Sequence, residues 1–392
     1  MNLVWLVCGM GLLLPSVAWA TEVRGSIAVQ YRQFVHDGAF KGQDETEQVS
    51  ISAEPELYWE WGDQSITATP FVRLDSMDDE RSHSDLRELK WLYLADDYEL
   101  EVGIAKVFWG VAESQHLVDV INQTDMVEHP NGEAKLGQPM VHLSWLGEED
   151  SVELFLLPYF RERTSSGSDG RFRPPLVVDE DNSDYQSSDS KHHLDLALRW
   201  SQTWGDWDVG LAYFTGTNRD PLLNISDDGT KLTPYYEQMD RVSVDIQATK
   251  GEWLWKLESI YHKSKEQEFP AAVGGFEYTL VGAFDSMLDV GLLAEYNWHD
   301  QDRDMSINLY QNDLFVGTRI TLNDMQGSEI LAGVTVDLED SEQIYLVEAS
   351  RRLGDSWRLA MDIWIYNSSE VDTPVSFVQK DDFAQLEVAY YF

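Results

Sequence analysis

The last ten residues of the chain, Phe383–Phe392, read FAQLEVAYYF. Successive side chains of a β-strand point to opposite faces, so this stretch would separate its apolar residues from its polar and small ones. The apolar face consists of Leu386, Val388, Tyr390 and Phe392. A water-soluble domain gains little from such a face at the end of its chain. The face suits a strand of a transmembrane barrel, where it would meet lipid.

The same alternation, followed each time by turn residues, recurs from residue 21 onward. Examples are LDLALRW at 194–200, DWDVGLAY at 206–213 and WRLAMDIWI at 357–365. Trp and Tyr stand near the ends of these segments, as an interfacial aromatic girdle requires. Short turns alternate with long polar loops, which lie roughly at 108–136, 162–190, 217–233, 299–311 and 368–381. A soluble β-sandwich also alternates, but the girdle and the turn rhythm favour a membrane barrel.

We therefore predict an all-β fold, a transmembrane antiparallel β-barrel of about 18 strands with short periplasmic turns and long outer loops. The strands are predicted to begin near residues 23, 48, 64, 86, 98, 138, 151, 192, 206, 239, 252, 273, 288, 313, 328, 342, 356 and 383. A barrel of about 16 strands is the alternative, because the segments near 48 and 273 are weak. Closure is required because a sheet edge cannot leave its backbone groups unpaired in lipid. The terminal Phe392, with Tyr390 before it, is typical of the signal that the outer-membrane barrel assembly machinery reads, and we assign Leu386 and Val388 to the same signal.

The beginning of the chain and its composition indicate export. The first twenty residues form an apolar run ending in Ala-Trp-Ala, a signal-peptidase-like site. We predict a signal peptide at 1–20 and a barrel domain at 21–392; a transmembrane anchor is the alternative, disfavoured by Pro15 and the short run. Cys8 is the only cysteine, so the exported chain has no disulfide. The net charge of −42 argues against nucleic acid as a partner, and the 47 aromatic residues (15 Trp, 17 Tyr and 15 Phe) argue against disorder.

A barrel of this size leaves an aqueous lumen, so its inward face should be polar. The residues predicted to line the lumen are Arg24, Arg32, Arg73, Glu101, Arg199, Lys256, Glu258, Glu295, Arg319 and Arg358. Both charge signs are present. They would either form ion pairs that stiffen the wall or create a transverse field that orients a passing solute.

The segment 108–136 would be the third outer loop, and its spacing is partly helical. We predict that it folds inward and narrows the channel, as the third loop does in general porins. Its acidic residues Glu113, Asp119, Asp125 and Glu128 are expected to form the constriction and to face lumen arginines. A surface loop with a short helix is the alternative.

The fourth outer loop carries dense carboxylates. Oxygen ligands from Asp179, Asp181 and Asp184 could hold Ca²⁺, although the spacing is not that of an EF-hand and a solvated loop is the simpler interpretation. No other metal and no cofactor is predicted. The chain lacks a GxSxG, an HExxH and a P-loop motif, so we do not expect an enzyme.

Several motifs carry a family resemblance. VFWGVAESQHLVDVINQTD at 107–125, VGGFEYTLVG at 273–282 and NDLFVGTR at 312–319 resemble an uncharacterised family of Gram-negative outer-membrane porin-like β-barrel proteins. The resemblance extends over nearly all of residues 21–392. It implies a barrel in the bacterial outer membrane, in contact with lipid and lipopolysaccharide, and implies no particular solute or binding residue.

Three functions follow from this reading. The first is passive transport of small hydrophilic solutes, with cations preferred because the acidic surface repels anions. The second is export or lipid handling as part of an envelope transport complex, with the lumen plugged by the third loop; co-purification with envelope proteins would reveal it. The third is a structural or adhesive barrel with a closed lumen.

Overall fold

The computed structural model describes residues 20–302, 308–371 and 373–392. The predicted signal peptide at 1–20 lies outside the described residues except for Ala20, where the first strand begins. The strands are β1 (Ala20–Phe34), β2 (Glu47–Trp61), β3 (Gln64–Asp75), β4 (Ser84–Leu94), β5 (Tyr98–Ala105), β6 (Gln138–Leu146), β7 (Asp150–Leu157), β8 (Val177–Val178), β9 (Asp184–Tyr185), β10 (Asp195–Trp204), β11 (Trp207–Thr217), β12 (Leu222–Ile225), β13 (Lys231–Tyr236), β14 (Gln238–Lys250), β15 (Trp253–Lys263), β16 (Glu268–Leu280), β17 (Asp289–His299), β18 (Asn312–Thr321), β19 (Glu329–Asp337), β20 (Glu342–Leu353), β21 (Trp357–Ser368) and β22 (Phe383–Tyr391). A short α-helix, α1 (Pro374–Val378), precedes β22. None of the helices in the described ranges is long and apolar enough to cross a membrane.

Eighteen of these strands close into one antiparallel barrel, so the predicted fold is confirmed. Each barrel strand pairs with the next along the chain, and β22 pairs with both β21 and β1. The largest difference between a predicted and an observed strand start is five residues, at β16, predicted near 273 and observed from Glu268. The alternative of 16 strands is wrong, because β2 and β16 are 15 and 13 residues long and are paired on both sides.

The two strands that alternate weakly in the sequence have structural reasons to do so. The inward face of β16 is apolar, since Phe269, Ala271 and Val273 are buried against the third outer loop. In β2, pairing with β3 is interrupted between Ala53 and Leu57, around Pro55. Proline cannot donate a ladder hydrogen bond, which explains the interruption.

The connections follow the predicted rhythm. Several turns on one side need only two residues, and Gly62, Gly205 and Gly251 occupy them with φ of 57°, 60° and 62°, a conformation that favours glycine. On the other side, the third outer loop spans 106–137 and the fourth spans 158–194. Long extracellular loops opposite short periplasmic turns are the orientation of outer-membrane barrels. The fifth outer loop spans 218–237. It is joined to the fourth loop by a small sheet in which β13 pairs with β8, β9 and β12.

The outer and inner faces alternate strictly. Along β1, Val29 is 50% exposed on the outer face and Gln30 is 6% exposed on the inner face. The exposed outer positions are apolar or aromatic around the barrel, as contact with lipid requires.

The terminal stretch forms the last barrel strand, as the opening pattern predicts. Its residues Leu386, Tyr390 and Phe392 are exposed on the outer face, and Val388 lies there half-buried. Phe392 exchanges two backbone hydrogen bonds of 3.1 Å with Gly25 of β1, so the seam is closed up to the final residue.

A charge placed on the lipid face should destabilise the barrel. Leu198 lies on β10 with its side chain 49% exposed to the surroundings of the barrel. We expect Leu198→Arg to lower the free energy of unfolding by about 2–4 kcal/mol if the residue lies near the bilayer midplane, because the guanidinium loses its hydration in hydrocarbon. Urea unfolding in lipid vesicles measures this. Leu198→Met is the matched control and should cost less than about 1.5 kcal/mol; equal losses in both variants would contradict a lipid-facing position.

Candidate constriction site in the barrel lumen

The third outer loop folds into the barrel, as predicted. Trp109, Val118 and Ile121 of this loop are almost fully buried. They pack against apolar residues on the inner wall, which are Met140, Phe155, Leu157, Ala197, Ala212, Phe214, Met239, Ile260, Phe269, Ala271 and Val273. Since these wall residues come from β6, β7, β10, β11 and β14–β16, the loop covers one side of the lumen with a hydrophobic contact.

Two wall carboxylates hold the backbone of the loop. Glu258 on β15 accepts hydrogen bonds from the backbone N–H groups of Val111 (2.7 Å), Ala112 (2.9 Å) and Val118 (3.1 Å). This part of the loop has no regular secondary structure, so its N–H groups depend on such side-chain acceptors. Gly110 has φ +146°, and a Cβ there would lie 3.1 Å from the Glu258 carboxylate. A side chain at position 110 would therefore disturb the attachment.

The second carboxylate is Glu295 on β17. It accepts the backbone N–H groups of Glu113 at 2.9 Å and Ser114 at 2.7 Å, as well as the Ser114 hydroxyl at 2.7 Å. Glu258 and Glu295 were predicted from alternation to line the lumen, and the structure places both on the inner wall, fully buried beneath the loop. They serve as acceptors for the loop backbone as well as charged groups.

Two further side chains fix the shape of the loop. Asn122 accepts from Val107 N–H at 2.8 Å and donates to the carbonyl groups of Ala105 and Leu136, so it joins the two ends of the loop. Arg219 of the fifth loop donates to Val120 and Ile121 carbonyl oxygens at 3.1 Å. Sequence reasoning missed both roles, because alternation identifies the face of a strand residue but not the partner of a loop carbonyl.

Three of the four predicted constriction acids contact wall arginines. Glu113 accepts from Arg319 of β18 at 2.7 Å. Glu128 accepts three hydrogen bonds of 2.8–3.1 Å from Arg73 of β3. The Asp125 carboxylate lies 2.6 Å from Arg87 of β4. The loop is thus tied by ion pairs to β3 and β4 on one side and to β18 on the other.

Asp119 differs from the prediction in its partner. Its carboxylate is buried and lies 3.3 Å from the amine of Lys135, which belongs to the same loop. Its other oxygen accepts from Trp109 N–H at 3.4 Å. Asp119 therefore stabilises the loop internally. Its cationic partner is Lys135 of the same loop and not the wall arginine that the sequence suggested.

The remaining predicted lumen residues lie away from the third loop or touch it only lightly. Arg199 pairs with Asp245 at 2.7 Å and stacks over the Trp109 ring at 5.0 Å. Arg32 is buried and donates to the Gln385 and Gln48 side chains. Glu101 pairs with Lys90 at 3.2 Å, and Lys256 lies 3.8 Å from Glu113. Arg24 is exposed and pairs with Glu56 at 2.6 Å, and Arg358 is exposed near a periplasmic turn.

An open cavity of about 290 Å³ lies beside the folded loop. One side is formed by Glu113 and Glu133 of the loop and by Glu348 and Trp364 of β20 and β21. Basic residues and imidazoles also line the cavity, namely Arg163, Arg241, His262 and His299. The cavity wall therefore carries both charge signs and mixes polar with apolar side chains.

Of the three carboxylates that could hold Ca²⁺, Asp179 already has other partners. Asp179 lies 3.3 Å from the Lys231 amine and accepts from Asn182 at 2.9 Å. Within the described part of the chain, the one group of three potential metal ligands is His83, Asp125 and Glu128. Arg73 and Arg87 already occupy its carboxylates, so this group fits an ion-pair network better than a metal centre.

A closed 18-strand barrel with a third loop folded into a polar lumen defines the porin type of outer-membrane channel fold. No known protein family and no curated protein matches the sequence. Solved structures of the same fold include OccK8 (OprE) from Pseudomonas aeruginosa, with TM-score 0.56 and 10% identity over 95% of this chain and 98% of that one. They also include OpdO from Pseudomonas aeruginosa (TM-score 0.55, 9% identity, 95% and 96% of the chains) and a BenF-like porin from Pseudomonas fluorescens Pf-5 (TM-score 0.54, 9% identity, 95% and 98%). At such low identity the likeness shows the fold.

Removing the main acceptor of the loop backbone should release the loop. In Glu258→Ala, the N–H groups of Val111, Ala112 and Val118 lose their partner, at about 1–3 kcal/mol for each group that water does not reach. We expect faster hydrogen exchange over 111–118, measured by mass spectrometry on protein in lipid nanodiscs. Glu387→Ala is the matched control, because Glu387 is a lumen-facing acid that accepts a hydrogen bond from Gln30 and none from the loop. Unchanged exchange in Glu258→Ala would show that apolar packing alone holds the loop.

The attachment of the loop to β3 and β4 should depend on pH through His83. Burial by itself would lower the pKa of His83, but the Asp125 and Glu128 carboxylates at 3.6 and 3.5 Å outweigh it and raise this pKa above its ordinary value. Arg73 and Arg87 face the same two acids. The stabilisation from protonated His83 is complete below the ordinary pKa near 6.5 and is lost as pH rises through the raised pKa.

We therefore expect hydrogen exchange at 125–128, corrected for the intrinsic pH dependence, to accelerate as pH rises from about 6 to 9. In His83→Gln the same segment should exchange at a corrected rate that no longer depends on pH in this range. A pH dependence that persists in the variant would assign the effect to another group.

Proposed function

We propose that this protein is an outer-membrane channel for the passive diffusion of small hydrophilic solutes, with no catalytic role. The observation that carries the proposal is the cavity between the folded third loop and the wall of β20 and β21, because it leaves part of the lumen open beside a constriction that is fixed in place. A barrel of 18 strands is too wide for side chains to fill, which is consistent with a water-filled lumen. Porins of known structure with the same fold support the proposal by analogy.

The constriction is formed where Glu113 meets Arg319. Glu113 is held by backbone hydrogen bonds to Glu295, and Arg319 reaches it from β18 while also pairing with Glu329 at 2.5 Å. The Glu113 carboxylate has cationic partners in Arg319 at 2.7 Å and Lys256 at 3.8 Å, so this pair of groups carries little net charge. A solute passing beside this pair would meet both charge signs within a few ångströms, which favours hydrated polar molecules over apolar ones.

We propose further that the expected cation preference arises from the distributed negative charge rather than from the constriction. The chain has 70 acidic and 28 basic residues, and the surplus acts through the potential of the whole surface. Such a potential is screened over about 30 Å at 0.01 M salt and about 3 Å at 1 M salt. Cation selectivity should therefore be strong in dilute KCl and weak in concentrated KCl.

Planar-bilayer recording tests this proposal. We expect stable channels. Their reversal potential should indicate cation selectivity at about 0.01 M KCl, and this selectivity should approach zero near 1 M KCl. The double variant Glu113→Ala with Arg319→Ala should conduct more than the parent protein, because it widens the constriction. A matched control removes the exposed pair Lys263 and Glu268 at the ends of β15 and β16 and should conduct like the parent.

The alternatives give different results in the same experiment. Absence of current in the parent protein, with co-purification of envelope proteins, would support the export or lipid-handling function. Absence of both current and envelope partners would leave a structural or adhesive barrel. Equal conductance in the Glu113 and Arg319 double variant and the parent would place the constriction elsewhere in the lumen.

The partners beyond solute and membrane are proposals of the same kind. The exposed outer residues Leu386, Tyr390 and Phe392 support a role of the last strand as the signal read by the barrel assembly machinery. Contact with lipopolysaccharide is proposed for the outer half of the apolar band. Ca²⁺ binding by Asp179, Asp181 and Asp184 is the weakest proposal, since Lys231 already pairs with Asp179.

A further inference from the structure

Two buried side chains on the cavity wall carry polar atoms without partners. Arg241 on β14 and His262 on β15 lie opposite each other in register and are 8% and 1% exposed. The Arg241 Nε and the His262 Nε2 are buried, and no described group forms a hydrogen bond with either atom. Both residues line the open cavity beside the third loop.

The geometry fixes which of these atoms are donors. Arg241 Nη2 lies 3.3 Å from His262 Nδ1, and a guanidinium nitrogen can only donate. The Nδ1 atom of His262 must therefore be the acceptor, and the proton of the neutral ring is on Nε2. The Phe269 ring stacks on the imidazole at 4.7 Å and an angle of 15°, which holds the ring in this orientation. Arg241 Nε–H and His262 Nε2–H are thus two free donors on one stretch of wall.

The positive charge of Arg241 also lacks a close counter-ion, since only the more distant Asp220 carboxylate offsets it. No carboxylate of the described residues lies within ion-pair distance of its guanidinium, and Asp220, which lines the same cavity, pairs with Arg163 instead. The second Arg241 amino nitrogen only reaches the Leu117 carbonyl oxygen at 3.5 Å. A buried charge whose counter-ion is distant and shared with Arg163 is costly, so a site that keeps one is prepared for an anion from outside the chain.

We propose that Arg241 and His262 form a binding site for an oxyanion group of a solute, a carboxylate or a phosphate, at the outer side of the constriction. The proposal rests on the channel function proposed above and adds a recognition step to it. An oxyanion offers several acceptor oxygens and can satisfy both free donors while neutralising the guanidinium. The protein as a whole is strongly acidic and repels anions, so this site would be a local region of the lumen where an anion binds favourably.

Binding of acetate and of inorganic phosphate to the detergent-solubilised protein tests the site. Isothermal titration calorimetry at constant ionic strength should show saturable binding of at least one of the two ions. Arg241→Lys keeps the charge but loses the Nε donor, and His262→Phe loses the second donor while keeping a ring for Phe269. We expect each variant to raise Kd at least about tenfold, because each removes a hydrogen bond to a charged group. Arg351→Gln removes a positive charge far from the cavity and should bind like the parent.

Each outcome decides the proposal. Acetate binding without phosphate binding assigns the site to carboxylates, and the reverse assigns it to phosphate. No saturable binding by the parent, or equal weakening in Arg351→Gln and the cavity variants, overturns the site. Migration on unheated gels checks that the variants fold. KCl conductance of the parent separates the two proposals: a channel that conducts but does not bind refutes only the site, and a protein that binds but does not conduct refutes only the channel.

Discussion

The structure depends on one constraint, which is that no backbone N–H or C=O group may be left unpaired in lipid. The seam between β1 and β22 satisfies it at the end of the chain, where Phe392 and Gly25 exchange both of their backbone hydrogen bonds. The same constraint acts inside the lumen on the irregular third loop. There the partners are the carboxylates of Glu258 and Glu295, which take the place that a neighbouring strand would have. The main role of Glu258 and Glu295 is thus to accept hydrogen bonds from the loop backbone, and their contribution to the electrostatic field of the lumen is secondary.

This assignment explains why the predicted constriction acids of a very acidic chain are compensated by cationic partners. Of the four predicted constriction acids, three are paired with Arg73, Arg87 and Arg319, and Asp119 is paired within the loop. The surplus negative charge must then reside on other surfaces, where water solvates it. Selectivity by overall charge and recognition by local groups are separate properties of the molecule, and they can have opposite sign.

Alternation predicted the strands well because each barrel strand has one face in lipid, and that face must be apolar whatever lies inside. It predicted inward positions such as Glu258 and Arg319 for the same reason. It was weakest at β16, whose inner face is apolar because the loop packs on it. It could not assign partners, as Asp119 shows, because the position of a loop side chain depends on contacts between residues far apart in the chain. The roles of Asn122 and Arg219 in holding the loop were missed for the same reason.

The path for a solute follows from how the loop is held. One part of the loop packs through apolar contacts on β6–β16, and another part is tied by ion pairs to β3 and β4. At β21 the loop makes a smaller contact, in which the His129 ring packs against the Trp364 ring at 5.9 Å, and Glu348 and Trp364 line the cavity there. The cavity is therefore bounded by the wall of β20 and β21 and by a loop that apolar packing holds against the opposite strands. Any widening must come from the side held by ion pairs, since charged pairs can exchange with water while a packed apolar core cannot.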